Sequence, residues 1–134
     1  MGTIVVGYVP KPEGKAALRR AAEEAKLRQH RLLVVNSHRG GREFDREDAL
    51  ESEAQMDEVK SELSQAGVEY EVRQLVRGLD PAEDLVNVAK EVGAELIVIG
   101  LRRRSPVGKL ILGSNAQRVL LDAPCPVLAV KAED

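Results

Sequence analysis

The sequence predicts an α/β fold, a single open parallel five-stranded sheet with helices on both faces. Short apolar segments alternate with longer amphipathic segments in the order β-α-β-α-β-α-β-α-β, and this alternation is typical of a parallel sheet covered by helices. Most of the apolar segments lack polar alternation, which indicates strands buried on both faces. The chain has 134 residues, of which 43% are hydrophobic and 31% charged. We therefore expect one domain, residues 1–134, with an aliphatic core.

The first half of the chain predicts two strands and two helices. Thr3 to Val9 and Arg31 to Ser37 are apolar and rich in β-branched residues, as buried strands are. A helix starts at Pro12-Glu13-Gly14, and a long charged helix is expected over Arg46 to Ala66, where Gly67 ends it. The expected inward positions of these helices are Leu18, Ala21, Ala22, Ala25, Leu50, Ala54, Val59, Leu63 and Ala66.

The second half predicts three strands and two helices. Apolar and charged residues alternate from Val68 to Arg73. We therefore expect this strand to have one solvent-exposed face and to lie near a sheet edge. Asp80-Pro81 starts the next helix with a capping side chain and a proline at the first helical position, and Gly93 ends it. Ala94 to Ile99 and Val127 to Lys131 predict the last two strands. The expected inward positions of these helices are Ala82, Leu85, Val86, Ala89, Ala116, Val119 and Leu120.

The segment between the fourth strand and the last helix is the most informative part of the sequence. It begins with Gly100 and three consecutive arginines and ends with Gly113-Ser114, where a helix starts. Ser114 and Gln117 have the spacing of a capping box. A helix N-terminus offers unpaired N–H groups and partial positive charge, and glycine lets the backbone approach closely. The segment predicts a phosphate site, and the alternative is a solvated basic surface loop.

The expected sheet also predicts where a ligand would lie. In open α/β sheets, ligands bind outside the carboxyl ends of the strands, where the strand order reverses. If the first and fourth strands flank that crevice, Tyr8 to Pro10 and Ile99-Gly100 line it. The basic segment then lies over its mouth.

Composition and motif tests exclude several classes of function. A formal net charge of −2 and 2% aromatic residues argue against nucleic-acid binding. The sequence has no membrane-spanning segment and no signal-peptide pattern, and the lone Cys125 excludes an internal disulfide framework, so we expect a cytoplasmic protein with no membrane partner. Neither a P-loop at Gly108-Lys109 nor a G-x-G-x-x-G motif is present, and no metal-ligand or catalytic-triad spacing is found. We expect no metal, no catalytic residues and no enzymatic activity.

Two C-terminal motifs carry a resemblance to a known family. Gly100 and Gly113-Ser114 keep the frame of a G-x2-G-x9-G-[ST] loop, and Ala123-Pro124-Cys125-Pro126-Val127 precedes the last strand. Gly7 followed by Pro12-Glu13 adds a third, N-terminal match. In these features the chain resembles the universal stress protein family. The resemblance covers essentially the whole chain and implies the adenine nucleotide alpha hydrolase-like form of the parallel α/β fold.

The resemblance also implies a binding site for an adenine nucleotide, ATP or AMP. In nucleotide-binding members, the ends of strands 1, 2 and 4 hold adenine and ribose, and the glycine loop and the following helix start hold the phosphates. Carried over by position, the implied binding residues are Gly7, Val9, Ser37, Gly100, Leu101, Arg102, Arg103, Arg104, Ser105, Pro106, Gly113, Ser114 and Asn115. Two of them depart from the family pattern. An aspartate that contacts the nucleotide is replaced by Val9, and the second loop glycine is replaced by Arg103, although an arginine can itself bind phosphate.

Three functions follow as hypotheses. The first is a regulatory module that binds ATP or AMP and performs no fast chemistry. The second is a dimeric stress-response interaction module that binds no nucleotide, and the third is an adenylate-forming or phosphoryl-transfer enzyme on the same fold. We expect a homodimer through Val127 to Lys131, because an apolar edge strand invites aggregation unless it is covered.

Overall fold

A computed structural model of the chain describes residues 2–38, 46–76, 80–101 and 113–132. These residues form strands and helices that alternate strictly, as predicted. The strands are β1 (Thr3–Gly7), β2 (Arg31–His38), β3 (Tyr70–Val76), β4 (Leu96–Leu101) and β5 (Val127–Lys131). The helices are α1 (Pro12–Arg28), α2 (Arg46–Ala66), α3 (Pro81–Val92) and α4 (Ser114–Asp122).

The strands form one parallel sheet in the order β3-β2-β1-β4-β5. β1 lies at the centre, where Val5 is in register with Leu33 of β2 on one side and Ile97 of β4 on the other. The chain winds outward from β1 to β3, then crosses back and winds outward from β4 to β5. The predicted open parallel sheet of five strands is thereby confirmed, and so is the edge position of β3.

Successive side chains of each central strand pack alternately into two separate cores, one on each face of the sheet. Ile4 and Val6 face a core formed with α1 and α2, and Val5 faces a core formed with α3 and α4. All three side chains are 0% exposed. Burial on both faces explains why β1 carries no polar alternation. The sheet therefore has helices on both faces, as the sequence predicts.

Three helices are followed by a residue with left-handed backbone. Gly67 has φ 73° after α2 and Gly93 has φ 62° after α3, so both predicted terminators are confirmed. α1 ends at Gln29, whose φ is 55° although it carries a side chain. The turn is closed by the His30 N–H, which donates to the Ala25 carbonyl at 2.9 Å. No sequence signal marked this helix end.

Two strands begin later than their apolar pattern predicts. β3 starts at Tyr70 and β4 at Leu96, each two residues beyond the expected start. The Val68 N–H donates to the Leu63 carbonyl at 3.3 Å, and the Ala94 N–H donates to the Ala89 carbonyl at 2.9 Å. These two residues are buried, but their backbone belongs to the closing turn of the preceding helix.

Some expected inward positions of the helices are wrong. Leu50 is 59% exposed, Leu120 is 42% exposed, and Ala54 is exposed as well. Met56, which was not expected inside, is only 3% exposed. Among the α2 side chains that the structure describes, the buried ones begin at Met56, so the C-terminal part of this helix covers the sheet. Helical periodicity predicts which face of the helix is turned toward the sheet. It does not predict where along the helix the contact with the sheet begins.

Two glycines let the first turn of α1 lie directly on the carboxyl ends of β1 and β4. A Cβ at Gly14 would lie 1.8 Å from the Val9 carbonyl oxygen, and a Cβ at Gly100 would lie 2.1 Å from the Glu13 carbonyl oxygen. Both obstacles are backbone atoms, so a rotamer change cannot relieve them. The absence of these side chains sets the distance between α1 and the sheet.

We expect Gly100→Ala to lower the free energy of unfolding by about 1–3 kcal/mol or more, the range for overpacking a filled interior. Gly113→Ala is the matched control, since nothing lies within 4 Å of its added Cβ and its φ is −69°. The control should cost less than about 1 kcal/mol, as expected for alanine in place of glycine at a helix cap. Urea unfolding measures both changes, and equal losses would contradict this account of Gly100.

Tyr8 lies beyond the end of β1 and is 6% exposed, on the face of the sheet that α1 and α2 cover. Burial raises the pKa of its phenol above the ordinary value, and the carboxylates of Glu58 and Glu62 on α2 raise it further. Both effects disfavour the phenolate. Because the unfolded chain ionises this phenol first, the raised pKa stabilises the fold below about pH 10, and this contribution is lost as the pH rises above that value.

In a Tyr70→Phe variant, where Tyr8 is the remaining tyrosine, phenolate absorbance should rise with a midpoint above pH 10 in the folded protein. The same variant in denaturant should titrate near pH 10. Adding Glu58→Gln and Glu62→Gln should lower the folded midpoint only in part, because burial is the larger cause. A folded midpoint equal to that of the denatured chain would contradict the burial of this phenol.

Candidate functional site

A cleft of about 150 Å³ opens at the carboxyl ends of β1 and β4. This is the point at which the strand order reverses, so the predicted crevice is present. The cleft lies between the sheet and the first turns of α3 and α4. Its lining residues are Gly7, Tyr8, Val9, Glu13, Gly14, Val35, Ser37, Pro81, Ala82, Leu85, Ile99, Gly100, Asn115, Ala116 and Val119.

Most of the cleft wall is apolar. Val35 and Ile99 come from the sheet, and Leu85 and Val119 come from α3 and α4. All four side chains are buried, with exposures between 2% and 6%. An apolar slot with a few polar groups at fixed positions is the usual form of a small-molecule site.

The floor of the cleft depends on Gly7. A Cβ at this position would lie 3.0 Å from Leu85 Cδ2, closer than an ordinary van der Waals contact. Glycine therefore lets α3 pack tightly against the end of β1. The packing that forms the floor also brings the first turn of α3 to the rim.

Three helix N-termini meet at the cleft. The first turns of α1, α3 and α4 contribute Gly14, Ala82 and Asn115 to the lining. The first N–H groups of a helix have no partner within the helix, and the aligned peptide dipoles place partial positive charge there. The rim of the cleft is thus suited to a negatively charged ligand.

The start of α4 differs from the predicted capping box. Gly113 is the N-cap residue, with φ −69° and ψ 162°, and no side chain caps the helix. Ser114 is the first helical residue and is exposed, and the Gln117 N–H donates to the Gly113 carbonyl at 3.0 Å. The capping role expected for Ser114 is therefore wrong. Its hydroxyl is not used to close the helix and remains available for other contacts.

Polar groups stand at separate points of the lining. Glu13 is the one charged side chain among the described residues that line the cleft. Ser37 lies at the end of β2, and Asn115 lies at the start of α4. Two inter-strand spacings, roughly 9–10 Å, separate β2 from β4. The cleft therefore offers a hydroxyl on its β2 side, whereas Glu13 lies beside Gly100 at the end of β4.

Behind the cleft, Ser37 hydrogen-bonds to a buried carboxylate. The Ser37 hydroxyl donates to Oδ2 of Asp84, which lies on α3 and is 0% exposed. The second oxygen, Oδ1, has no hydrogen-bond partner in the described part of the chain. Sequence periodicity placed the inward face of α3 at neighbouring positions and did not predict a buried aspartate among them.

Arg118 ties α4 to α3 beside the cleft. Its guanidinium lies 3.3 Å from Asp80 Oδ2 and donates to Glu83 Oε1 at 2.5 Å, both at the start of α3. It also lies 3.8 Å from Asp122 Oδ2 on α4. Asp80 is the predicted N-cap residue of α3, but its side chain caps no N–H of the helix. These exposed ion pairs hold together the two helices that form one wall of the cleft.

The structure brings together part of the predicted site. Five of the predicted residues line the cleft, namely Gly7, Val9, Ser37, Gly100 and Asn115. Leu101 is not among the lining residues; it is 8% exposed and packs in the core beneath α3 and α4. Gly113 and Ser114 lie at the start of α4, next to Asn115 but outside the lining. Arg102, Arg103, Arg104, Ser105 and Pro106 lie outside the described residues.

Sequence reasoning missed the lining residues that come from α1 and α3. Glu13 and Gly14 belong to the first turn of α1, and Pro81, Ala82 and Leu85 belong to the start of α3. A signal for them was present, since each helix that follows a parallel strand starts at the carboxyl edge of the sheet.

Within the described ranges, no group of three or more His, Cys, Asp or Glu side chains is arranged to hold a metal ion. No helix in those ranges is both long and apolar enough to cross a membrane. Cys125 is half-buried against the core beneath α3 and α4, and burial raises the pKa of its thiol. A thiol held protonated in this way is a poor nucleophile.

Comparisons with known proteins match the chain to one protein family. The model of the universal stress protein family matches residues 1–131. A universal stress protein of Mycolicibacterium smegmatis is 48% identical over 128 residues, which are 96% of each chain. A universal stress protein structure from Archaeoglobus fulgidus has a TM-score of 0.86 and 43% identity, and the match covers 98% of this chain and 99% of that one. A universal stress protein structure from Archaeoglobus fulgidus in complex with dAMP has a TM-score of 0.80 and 37% identity, with 98% of both chains covered.

Proposed function

The chain belongs to the universal stress protein family, and we propose that its cleft binds an adenine nucleotide, ATP or AMP, as the ligand of a regulatory module without catalytic activity. The observation that carries the proposal is the cleft itself. It lies at the point where strand order reverses, has apolar walls, and is rimmed by three helix N-termini. The similar Archaeoglobus fulgidus structure that holds dAMP supports the same ligand class.

The phosphates are proposed to lie at the start of α4. Gly113 presents bare backbone there, and nothing lies within 4 Å of the position that its Cβ would occupy. The hydroxyl of Ser114 and the first N–H groups of α4 donate to phosphate oxygens. The sequence also has three arginines directly after β4, Arg102 to Arg104, and a guanidinium group can bind phosphate.

The base and ribose are proposed to lie over β1 and β2. Val35 and Leu85 offer apolar surface to a purine, and Ser37 offers a polar atom at its edge. Val9, which is 40% exposed, presents methyl groups where the family pattern has an aspartate. Glu13 is the carboxylate of the lining that can accept hydrogen bonds from ribose hydroxyls in its place.

Titration calorimetry of the purified protein with ATP tests the proposal. The unmodified chain should bind, and Val9→Asp should tighten binding about tenfold to a hundredfold, because it restores a charge-assisted acceptor. The position tolerates a charge, since the side chain is partly exposed and the Val9 carbonyl keeps its bond to the Lys11 N–H at 2.8 Å. Leu27→Asp, at an exposed site near the other end of α1, is the control and should leave affinity unchanged.

A protein that carries no nucleotide after purification and ignores added ATP would contradict the proposal. That outcome would favour the second candidate, an interaction module that acts through partners and binds no nucleotide. The observation that favours this candidate is Val9, because it removes a hydrogen-bond acceptor from the cleft. Mass spectrometry of small molecules extracted from the purified protein distinguishes the two candidate functions before any titration.

The assembly is proposed to be a homodimer paired through β5. This strand lies at the sheet edge, and its inner ladder uses the Pro126 carbonyl and the Ala132 N–H, which bond to Ile97 and Leu101 at 3.0 Å. In this parallel register the N–H of Ala129 points away from β4. Pairing of Val127–Lys131 with the same strand of a second copy across a two-fold axis uses that free edge.

Ala129→Pro should convert the dimer to a monomer, because proline removes an outward N–H without removing a bond to β4. Ala129 is exposed, so the change does not disturb the core. Ala129→Ser keeps the N–H and is the matched control. Light scattering at micromolar concentration should give the mass of one chain for the proline variant and of two chains for the control. A single-chain mass for the unmodified protein would refute the assembly.

A further inference from the structure

We propose that β3 is a self-association surface, on which two copies of the chain pair their β3 strands antiparallel across a two-fold axis centred on Val72. In the sheet that the described residues form, β3 lies at the edge opposite to β5. The contact is therefore separate from the nucleotide cleft and from the proposed β5 assembly, and it depends on neither of them.

The backbone of β3 offers every second residue to a partner strand. Leu32 of β2 is in register with Tyr70, and its N–H donates to the Glu69 carbonyl at 2.9 Å. A residue in a parallel pair bonds to the two residues that flank its partner, so Glu69 and Glu71 turn their backbone groups toward β2. By alternation, Tyr70 and Val72 turn theirs toward the outer edge. A strand placed on this edge can therefore bond to the N–H and the carbonyl of Val72.

The side chains of β3 differ between its two faces. Tyr70 and Val72 are half-buried against the core formed with α1 and α2. Glu71 and Arg73 lie on the face toward α3, where Arg73 Nη1 is 3.8 Å from Glu91 Oε2. The side chain of Glu71 is 42% exposed and that of Arg73 is 33% exposed, so both charges can meet a second copy at the edge.

The charges of β3 match themselves under a two-fold rotation. When Val72 faces Val72 of the partner subunit, Glu71 faces Arg73 of the partner subunit, and Arg73 faces Glu71 of the partner subunit. Val72 turns its backbone outward, so it forms a hydrogen-bonded pair, and the two charged pairs beside it are of the non-hydrogen-bonded kind, in which side chains lie closer. Opposite charges directly across two strands stabilise the pairing of those strands.

The neighbouring registers are disfavoured by the same charges. A shift that keeps outward backbone groups paired moves the partner strand by two residues. Glu71 then faces Glu71 of the partner subunit, or Arg73 faces Arg73 of the partner subunit, and like charges directly opposite each other destabilise a strand pair. Charged side chains commonly keep sheet edges apart. On β3 they oppose the neighbouring registers but not the register centred on Val72.

The charged network on this face of β3 has no net charge. Arg31 Nη2 lies 3.4 Å from Glu71 Oε2, Arg73 Nε lies 3.6 Å from Glu71 Oε1, and Arg73 also reaches Glu91 on α3. Two cations and two anions are thus joined in one chain of contacts. Two copies that meet at β3 therefore bring together balanced networks and not two surfaces of the same sign.

Sedimentation of the Ala129→Pro variant tests the contact, because this substitution removes the proposed β5 pairing and leaves β3 unchanged. The β3 contact should be weak, since it buries a short strand edge and its ion pairs are partly exposed. The variant should have the mass of one chain at about 10 µM and should form a two-chain species as its concentration rises to about 1 mM, the weak end of specific association.

Charge exchange in this Ala129→Pro parent tests the register. Adding Glu71→Arg or Arg73→Glu places like charges across the axis, so each of these variants should stay monomeric at the same high concentration. An equal mixture of the two should associate, because the arginines of one copy then face the glutamates of the other, and the double exchange Glu71→Arg with Arg73→Glu should associate as well. Glu51→Arg is the matched control, since it makes the same charge change at an exposed position of α2. It should associate like the parent.

A parent that stays monomeric up to the high concentration would overturn the inference, and so would association that survives either single charge reversal. A mixture that fails to associate would also overturn it, because another surface would then hold the copies together. If Arg73→Glu does not fold, the comparison of Glu71→Arg with the double exchange decides. If the parent is already dimeric at the low concentration, the β5 assembly is contradicted, and the charge variants decide about β3 in the same way.

Discussion

The close approach of the first turn of α1 to the carboxyl ends of β1 and β4 is the constraint on which the rest of the structure depends. Two backbone carbonyls occupy the space in which side chains at Gly14 and Gly100 would otherwise stand. With those side chains absent, α1 starts directly above the centre of the sheet and brings Glu13 to the cleft. Gly100, which sequence motifs assign to ligand contact, thus also has a packing reason to be glycine.

The absence of a side chain also sets the helix packing on the other face of the sheet. Gly7 admits Leu85 against the end of β1, and this contact brings the start of α3 to the cleft. Arg118 then ties α4 to α3 through carboxylates at their exposed ends. The contact at Gly7 thus places the start of α3 beside the cleft, and exposed ion pairs link α3 to α4.

The two ends of the cleft differ in the chemical groups that they offer. Toward β4 and α4 it offers helix N-terminal charge and exposed backbone, which suit an anion whatever the attached group. Toward β2 it offers apolar surface and the Ser37 hydroxyl, which hydrogen-bonds to Asp84. In a family whose pattern has an aspartate at the end of the first strand, this chain has Val9 and offers acceptors elsewhere, on Glu13 and Ser37.

The sequence by itself determined the order of the elements, the parallel sheet and the crevice at which β1 and β4 end. Apolar periodicity and glycine terminators are local signals, and they correctly predicted the burial of the central strands and the ends of α2 and α3. Tertiary structure alone decided which helix turns face the crevice, that Leu101 belongs to the core, that Ser114 caps nothing, and that Asp84 is buried behind Ser37. The reason is physical. Those outcomes depend on where α3 and α4 lie on the sheet, and that is set by contacts between residues far apart in the chain, such as Leu85 with Gly7 and Arg118 with Asp80.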